Sequence, residues 1–287
     1  MTTPCLGPDP NPRPPRFRVP PGATDTHAHV IAAPEIYAYV PERSYTPPPA
    51  PVEAYRAMHR TLGIERAVIV QPSVHGTDNR VTVAAIRDYG AAARGVAVVA
   101  EGVADRELAW LDEGGIRGLR LNVLFGGGVG LGALEPLAER IADRGWHIQL
   151  LLDVSRDLVD LAPRIRRLAV PVVVDHMGYM NVAKGLDHPG FQTLLDLVGE
   201  GHAWVKLLGN YRVSAAGPRY QDAVPYARAL IAAGPDRMVW GTDWPHPALT
   251  EYMPNDGDLM DALDDYAPDA DLKRAILVDN PARLYGF

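Results

Sequence analysis

Residues 22–30 read GATDTHAHV, which sets Asp25, His27 and His29 at alternate positions in a short segment that follows a Pro-Gly step. Side chains at i and i+2 of a strand point the same way, so the two histidines open on one compartment. Two imidazoles so placed suit a divalent cation, or act as a pair of aimed hydrogen-bond donors without one. A satisfied polar patch is the plain alternative. Asp25 has the weaker claim, as a group that fixes a histidine tautomer from behind.

Other residues could complete such a site. In VVVDHMGYM, Asp175 and His176 are neighbours, and neighbours on a strand face opposite ways. One of them is expected at the site, and His176 is the favoured one. In VWGTDWPHP, Asp243 follows an apolar run and a Gly-Thr step, as a general base for water would, with a salt-bridged structural aspartate as the alternative. His246 lies three residues on, in a loop that could be merely rigid. Arg120, Asn122 and Arg212 bring donors suited to holding a carboxylate in a planar fork. Tyr45, Ser73 and His75 are further substrate-contact candidates, and Lys206 is left unassigned. The stretch FGGGVG at 125–130 could expose backbone N–H groups to an anion or be a flexible loop. It lacks the Lys-Ser/Thr ending of a phosphate-binding loop, which argues against nucleotide binding.

The elements that must position these residues alternate along the chain. Eight apolar, β-branched segments are expected as strands: 22–30, 66–74, 95–103, 116–123, 146–153, 171–178, 203–210 and 238–245. Helical periodicity fills the intervals, as in 51–63, 131–145 and 222–234, each ending in or beside glycine. Eight such repeats predict a single (β/α)8 barrel over 21–287, preceded by an extended, proline-rich arm over 1–20. A doubly wound sheet is the alternative, but no Gly-x-Gly-x-x-Gly follows the first strand. Asp25, His27, His29, Gln71, Ser73, Glu101, Arg120, Asn122, Asp153, His176 and Asp243 all fall late in a predicted strand or just after it. Those ends share one rim of a barrel, where active sites of this fold lie.

Composition narrows the partners. The formal charge is −7, and Lys and Arg do not form long runs, which argues against nucleic-acid and membrane-surface partners. An anionic small molecule would be caught by a few placed arginines. Cys5 is the one cysteine, so a disulfide within the chain and a thiolate cluster are both excluded, and a cytoplasmic setting is expected. The arm lacks the apolar core of a secretory signal, and no apolar run of about 20 residues is present to span a bilayer. Monomer and homo-oligomer both remain open.

THAH on strand 1, DHMG on strand 6, GTDWPHP on strand 8 and the closing NPARLYGF together resemble the amidohydrolase superfamily. RSYTPPPAP at 43–51, QPSVHGTDN at 71–79 and VKLLGNYRVS at 205–214 resemble its 2-pyrone-4,6-dicarboxylate lactonase branch (amidohydrolase family 2). The resemblance covers nearly the whole chain after the arm. It implies a TIM-barrel lactone hydrolase in which Asp243 activates water, while His27, His29 and His176 polarise or orient the carbonyl. Substrate contacts fall by resemblance on Tyr45, Ser73, Arg120 and Arg212, with His246 close by.

Two departures qualify it. Metal-dependent relatives carry a lysine or glutamate after strand 4, or a histidine after strand 5, whereas RLNV and QLLLDV stand here. The expectation is therefore no required cofactor. The alternative is one zinc ion on His27, His29, His176 and Asp243, in an amidohydrolase or decarboxylase. The second departure is FGGGVG, where the branch places a basic residue for a second carboxylate; no Lys or Arg occurs from Asn122 to Glu139. A lactone with one carboxylate, a sulfonated muconolactone or a sugar-acid lactone is then expected beside the pyrone dicarboxylate. Lactone isomerisation and non-catalytic binding are the remaining alternatives.

Overall fold

The computed structural model describes residues 2–214, 216–217 and 220–287. Eight parallel strands pair in chain order: β1 Thr24–Ala28, β2 Arg66–Val70, β3 Ala93–Ala97, β4 Ile116–Asn122, β5 His147–Leu151, β6 Val172–Val174, β7 Ala203–Lys206 and β8 Met238–Val239. The ring closes where Thr26 N–H donates to Trp240 O at 3.0 Å and Asp243 N–H to His27 O at 2.8 Å. This is the (β/α)8 barrel, and closure excludes the open doubly wound sheet.

Helices surround it: α1 Val52–Leu62, α2 Arg80–Tyr89, α3 Asp105–Glu113, α4 Leu134–Ile141, α5 Val154–Ile165, α6 Pro189–Gly199, α7 Asn210–Val213, α8 Val224–Ala233 and α9 Asp256–Tyr266. The helix expected over 131–145 is shorter, because tighter turns at Leu131–Ala133 and Ala142–Arg144 flank α4. Among the described residues no helix is long and apolar enough to cross a membrane.

Strand alternation sorts the core into two layers. Ala67 and Ile69, Ile148 and Leu150, Val172 and Val174, and Ala203 and Val205 pack outward into the large cluster shared with the helices. Their neighbours Val68, Val70, Val173 and Trp204 belong to a separate, smaller cluster with Val96, Val239 and Tyr285. The same parity carries Arg120, Asn122, Gln149 and Lys206 to the inner face. It sends Gln71 outward, where its amide donates to Gly76 O and Asp78 O and supports the turn after β2.

Most strands end earlier than the sequence suggests, and His29, Ser73, His176 and Asp243 lie beyond those ends. After β2 the chain enters a tight turn at Ser73–His75, and after β6 another at His176–Gly178. β8 has only two residues before the chain leaves the ladder toward Asp243. Gly241 is needed on that path, since a Cβ there would lie 2.7 Å from His27 N.

The residues before β1 lie across the barrel's mouth loops. Pro4 bridges Thr46, Cys5 N–H donates to Thr46 O, and Leu6 N–H donates to Leu249 O. Farther on, Arg13 N–H donates to Asn255 Oδ1 and Arg16 pairs with Asp261 of α9. This segment ties together the loop that carries Tyr45 and the loop after Asp243.

Candidate active site

A small, narrow cavity opens at the C-terminal rim, lined by His29, Tyr45, Ser73, Arg120, Asn122, Phe125, Leu151, His176, Arg212, Asp243 and Pro247. A larger, more open pocket of about 910 Å³ lies farther out, along Tyr211, Tyr220, Leu249 and Tyr252. The inner cavity is the candidate site, because it gathers the buried groups His29, His176, Arg120 and Asp243.

Asp243 is its centre. The residue is 1% exposed and has φ 67°, in the left-handed region that side chains with a Cβ seldom adopt. Its Oδ2 accepts from Tyr211 OH at 2.5 Å and Arg212 Nε at 2.7 Å. Its Oδ1 faces His27 Nε2, His29 Nε2 and His176 Nε2 at 3.7, 3.8 and 3.9 Å. These separations exceed a direct hydrogen bond, so one carboxylate oxygen is tethered and the other is open. Burial pushes the carboxyl up, but Arg212 and then the histidines outweigh it and hold the group well below the usual carboxylate range. It is a carboxylate at neutral pH.

The histidines are neutral there. Burial, then Arg120, lowers His29 to about 3, and burial lowers His176 to about 4. His27 is also held well below its ordinary value, first by burial and then by Lys206. His29 Nδ1 lies 2.8 Å from Val70 O, and a carbonyl can only accept. His29 Nε2 therefore presents a lone pair. This corrects the expectation that both histidines of the pair are donors: with neutral rings, only His27 can give a proton across the 3.3 Å between their Nε2 atoms.

Beneath them lies a floor of buried charge. Arg120 reaches Asp175 Oδ2 through Nε at 3.2 Å and Nη2 at 3.1 Å, and Gln149 Nε2 donates to the same oxygen at 3.0 Å. Lys206, fully buried at the end of β7, donates to Thr26 O at 2.8 Å and Gln149 Oε1 at 2.7 Å, and lies 3.2 Å from His27 Nδ1. Burial lowers its ammonium to about 8. The inward parity of β4, β5 and β7 places Arg120, Gln149 and Lys206.

The expectation that only one of Asp175 and His176 enters the barrel is overturned. Alternation carries Asp175 inward, next to His27 Nδ1 at 3.2 Å. β6 has already ended at Val174, and φ 52° at His176 swings that ring to the cavity as well. Asp25 goes the other way. The β1–β2 register shifts between Asp25 and Ala28, a bulge that breaks alternation, so Asp25 faces Tyr55 and His59 of α1.

Tyr45, Ser73, Arg120, Asn122 and Arg212 all reach the cavity wall. Ser73 Oγ donates to Tyr45 OH at 3.2 Å, and burial pushes the Tyr45 phenol up to about 12. Asn122 Oδ1 accepts from Leu124 N and Phe125 N and so shapes the following loop. Three candidates stand off the wall, and one is His27, fully buried behind His29 and Asp243. His75 packs edge-on against Tyr39 with Nε2 near Ala32 N, because its turn points it behind Ser73. His246 is wedged between Tyr211 OH and Asp256 and supports Tyr211 from behind. Glu101 is exposed, and Asp153 caps α5 through Ser155 N, so neither joins the site.

FGGGVG is a close-packed loop, not a slack one. A Cβ on Gly126 would lie 2.0 Å from Glu42 O, and one on Gly127 2.3 Å from Ser73 O. Glycine lets three backbone segments meet there and seats Phe125 over the cavity. Sequence reasoning missed Tyr211, Gln149 and Phe125. Inward parity on β5 would have pointed to Gln149, whereas nothing in the local pattern singled out Tyr211 beside Arg212.

Two overlapping groups could hold a metal ion by spacing, namely His27 with His29 and Asp243, and His27 with Asp175 and His176. Donors around a tetrahedral zinc ion stand about 3.3 Å apart, so the 3.3–3.8 Å spacing of the first group is near that size.

A family model described as amidohydrolase matches residues 24–287. The chain is 42% identical to 4-sulfomuconolactone hydrolase of Hydrogenophaga intermedia, over 98% of this chain and 94% of that one. It is 41% identical to 2-pyrone-4,6-dicarboxylate hydrolase of Comamonas testosteroni, over 96% and 93%. It is 32% identical to D-galactarolactone isomerase of Agrobacterium fabrum, over 97% and 94%. Among solved structures, a probable 2-pyrone-4,6-dicarboxylic acid hydrolase of Acinetobacter baumannii with citric acid bound superposes with a TM-score of 0.82 at 27% identity, covering 93% of this chain and all of that one.

Proposed function

Because the chain belongs to the amidohydrolase family, we propose that it is a hydrolase that opens an anionic lactone with water activated by Asp243. The observation that carries this reading is the asymmetry of that carboxylate, Oδ2 fixed by Tyr211 and Arg212 and Oδ1 open to a buried cavity. A water on Oδ1 loses a proton to it while attacking the ring carbonyl. The tetrahedral carbon then collapses, the ring C–O bond breaks, and the leaving oxygen takes the proton back from Asp243. His27 and His176 donate to the developing oxyanion, and the lone pair on His29 Nε2 orients the water. Such aimed donors contribute about 3 kcal/mol apiece in enzymes of this kind.

The substrate's acidic group is met by the guanidiniums. Arg120 and Arg212 are charge-balanced by Asp175 and Asp243, yet each keeps its Nη1 without a hydrogen bond among the described residues. Tyr45 and Ser73 add neutral hydroxyls to the same cavity wall. Two guanidiniums suit an anionic ring, and we place 4-sulfomuconolactone and 2-pyrone-4,6-dicarboxylate first among substrates, as the relatives' names suggest. A cytoplasmic setting belongs to the same reading.

A divalent ion on His27, His29 and Asp243 would supply Lewis-acid polarisation of the carbonyl and the water. The spacing admits one, but the hydrogen-bond roles oppose it: His27 Nε2 carries a proton whenever Nδ1 accepts from Lys206. We therefore read catalysis as metal-independent. An isomerase reading has one observation in its favour, the D-galactarolactone isomerase relative. Product NMR after incubation with each lactone tests both readings. A ring-opened acid supports hydrolysis, whereas a relocated lactone overturns it.

A further inference from the structure

We propose that Lys206 is a positioning residue that locks His27 in the Nε2–H tautomer and thereby keeps a metal ion out of the site. The proposal rests on the reading of His27 as a donor to the lactone carbonyl.

The case is a count of donors and acceptors. An ammonium has three protons and no lone pair. Lys206 Nζ is sealed from solvent and has three acceptors in reach: Thr26 O at 2.8 Å, Gln149 Oε1 at 2.7 Å and His27 Nδ1 at 3.2 Å. Gln149 cannot turn its amide round, because its Nε2 donates to Asp175 Oδ2 at 3.0 Å. Thr26 O is a carbonyl. The third ammonium proton therefore belongs to His27 Nδ1, which must accept.

Asp175 Oδ1 makes the opposite demand on the same nitrogen from 3.2 Å, a close contact that lacks the alignment of a hydrogen bond. Suppose Nδ1 gave its proton to Asp175. An ammonium proton would then face an N–H, and the Nε2 lone pair would face the His29 lone pair at 3.3 Å and the Asp243 carboxylate at 3.7 Å. Three electron-rich atoms facing one another in a buried site call for a cation between them. With Nδ1 accepting, the sole cost is one Asp175 oxygen without a proton, beside Lys206 at 3.7 Å. In the free protein the chain then runs in one direction, from Lys206 to His27 Nδ1, from His27 Nε2–H to His29 Nε2, and from His29 Nδ1–H to Val70 O; a bound lactone carbonyl takes over the His27 proton and frees the His29 lone pair for water.

Lys206 and a metal ion are thus alternative partners of one histidine. With the ammonium in place, His27 turns a proton toward the cavity and cannot ligate. Without it, His27 gives Nδ1–H to Asp175 and turns a lone pair toward His29 and Asp243, which completes a three-donor site.

The test has two arms, neither of which reads turnover. In ¹⁵N-histidine-labelled wild-type protein without substrate, NMR should show His27, assigned with His27→Gln, protonated at Nε2 and bare at Nδ1. In Lys206→Met, after chelator treatment, titration with zinc chloride should give an affinity at least tenfold tighter than wild type. A wild-type His27 protonated at Nδ1 overturns the proposal even if the variant fails to fold. Equal zinc affinities in the two folded proteins overturn it as well. Both results leave the Asp243 reading to its own test, so the two can fail separately.

Discussion

Asp25 and Asp243 flank the same junction of strands 1 and 8, are both buried, and are treated in opposite ways. Asp25 is saturated. Its Oδ1 accepts from His27 N and Thr242 N, and its Oδ2 from Tyr55 OH, His59 Nε2 and Thr242 Oγ1, at 2.6–3.1 Å. Asp243 has donors on one oxygen only and leaves the other facing three histidines beyond bonding distance. A carboxylate with every lone pair engaged is a fastener. One held by a single edge can take a proton.

The contrast can be broken by substitution. Asp243→Asn should lower kcat on a lactone substrate by about 10³-fold, the scale of a lost general base. Asp25→Asn should instead cost about 3 kcal/mol of stability, because an amide nitrogen then faces buried donors. Its folded molecules should turn over within about tenfold of wild type; urea unfolding and steady-state kinetics separate the two effects. If Asp25→Asn loses as much kcat as Asp243→Asn, the division between fastener and base is wrong.

Smaller effects sharpen it. Tyr211→Phe removes one of the two donors that fix Asp243 Oδ2, and should lower kcat by about tenfold with little change in KM, since a hydrogen bond to a charged group contributes about 1.5–3 kcal/mol. Gly126→Ala drives a Cβ against Glu42 O and shifts the loop that carries Phe125, so KM should rise severalfold while kcat holds. A fall in kcat alone would place that loop in the chemistry.

A pH series gives the mildest effect. His29 and His176 have folded values of about 3 and about 4, against 6.5 unfolded, so the unfolded chain binds more protons between those limits. The stability from keeping these rings neutral is fully present above pH 6.5 and is lost as the pH falls toward 4. Tm should decline by several degrees from pH 7 to pH 5, and less so in a folded His29→Gln variant. A flat Tm over that range contradicts the neutral-histidine site.

Much of this was legible in the sequence because periodicity reports what a side chain packs against. Eight apolar segments gave the barrel, and i, i+2 spacing put His27 with His29. The failures share one cause, that alternation stops where the ladder stops. A bulge in β1 turned Asp25 outward, and left-handed backbone at His176 and Asp243 aimed side chains no strand rule covers. Lys206 lay hidden for another reason. Midway along its expected strand it could face inward, but nothing gave it a partner until the closed ring put Thr26, Gln149 and His27 around it. The hydrogen-bond roles of the two histidines were out of reach too, since they depend on Val70 O, 41 positions from His29.

The central claim is that Asp243 delivers water to a lactone carbonyl, and single-turnover ring opening in H₂¹⁸O, with enzyme in excess over 4-sulfomuconolactone or 2-pyrone-4,6-dicarboxylate, tests it most directly. The account predicts one ¹⁸O in the new carboxylate of the wild-type product and no product from Asp243→Asn on the same timescale. An unlabelled product, a relocated lactone, or equal turnover by Asp243→Asn would contradict it.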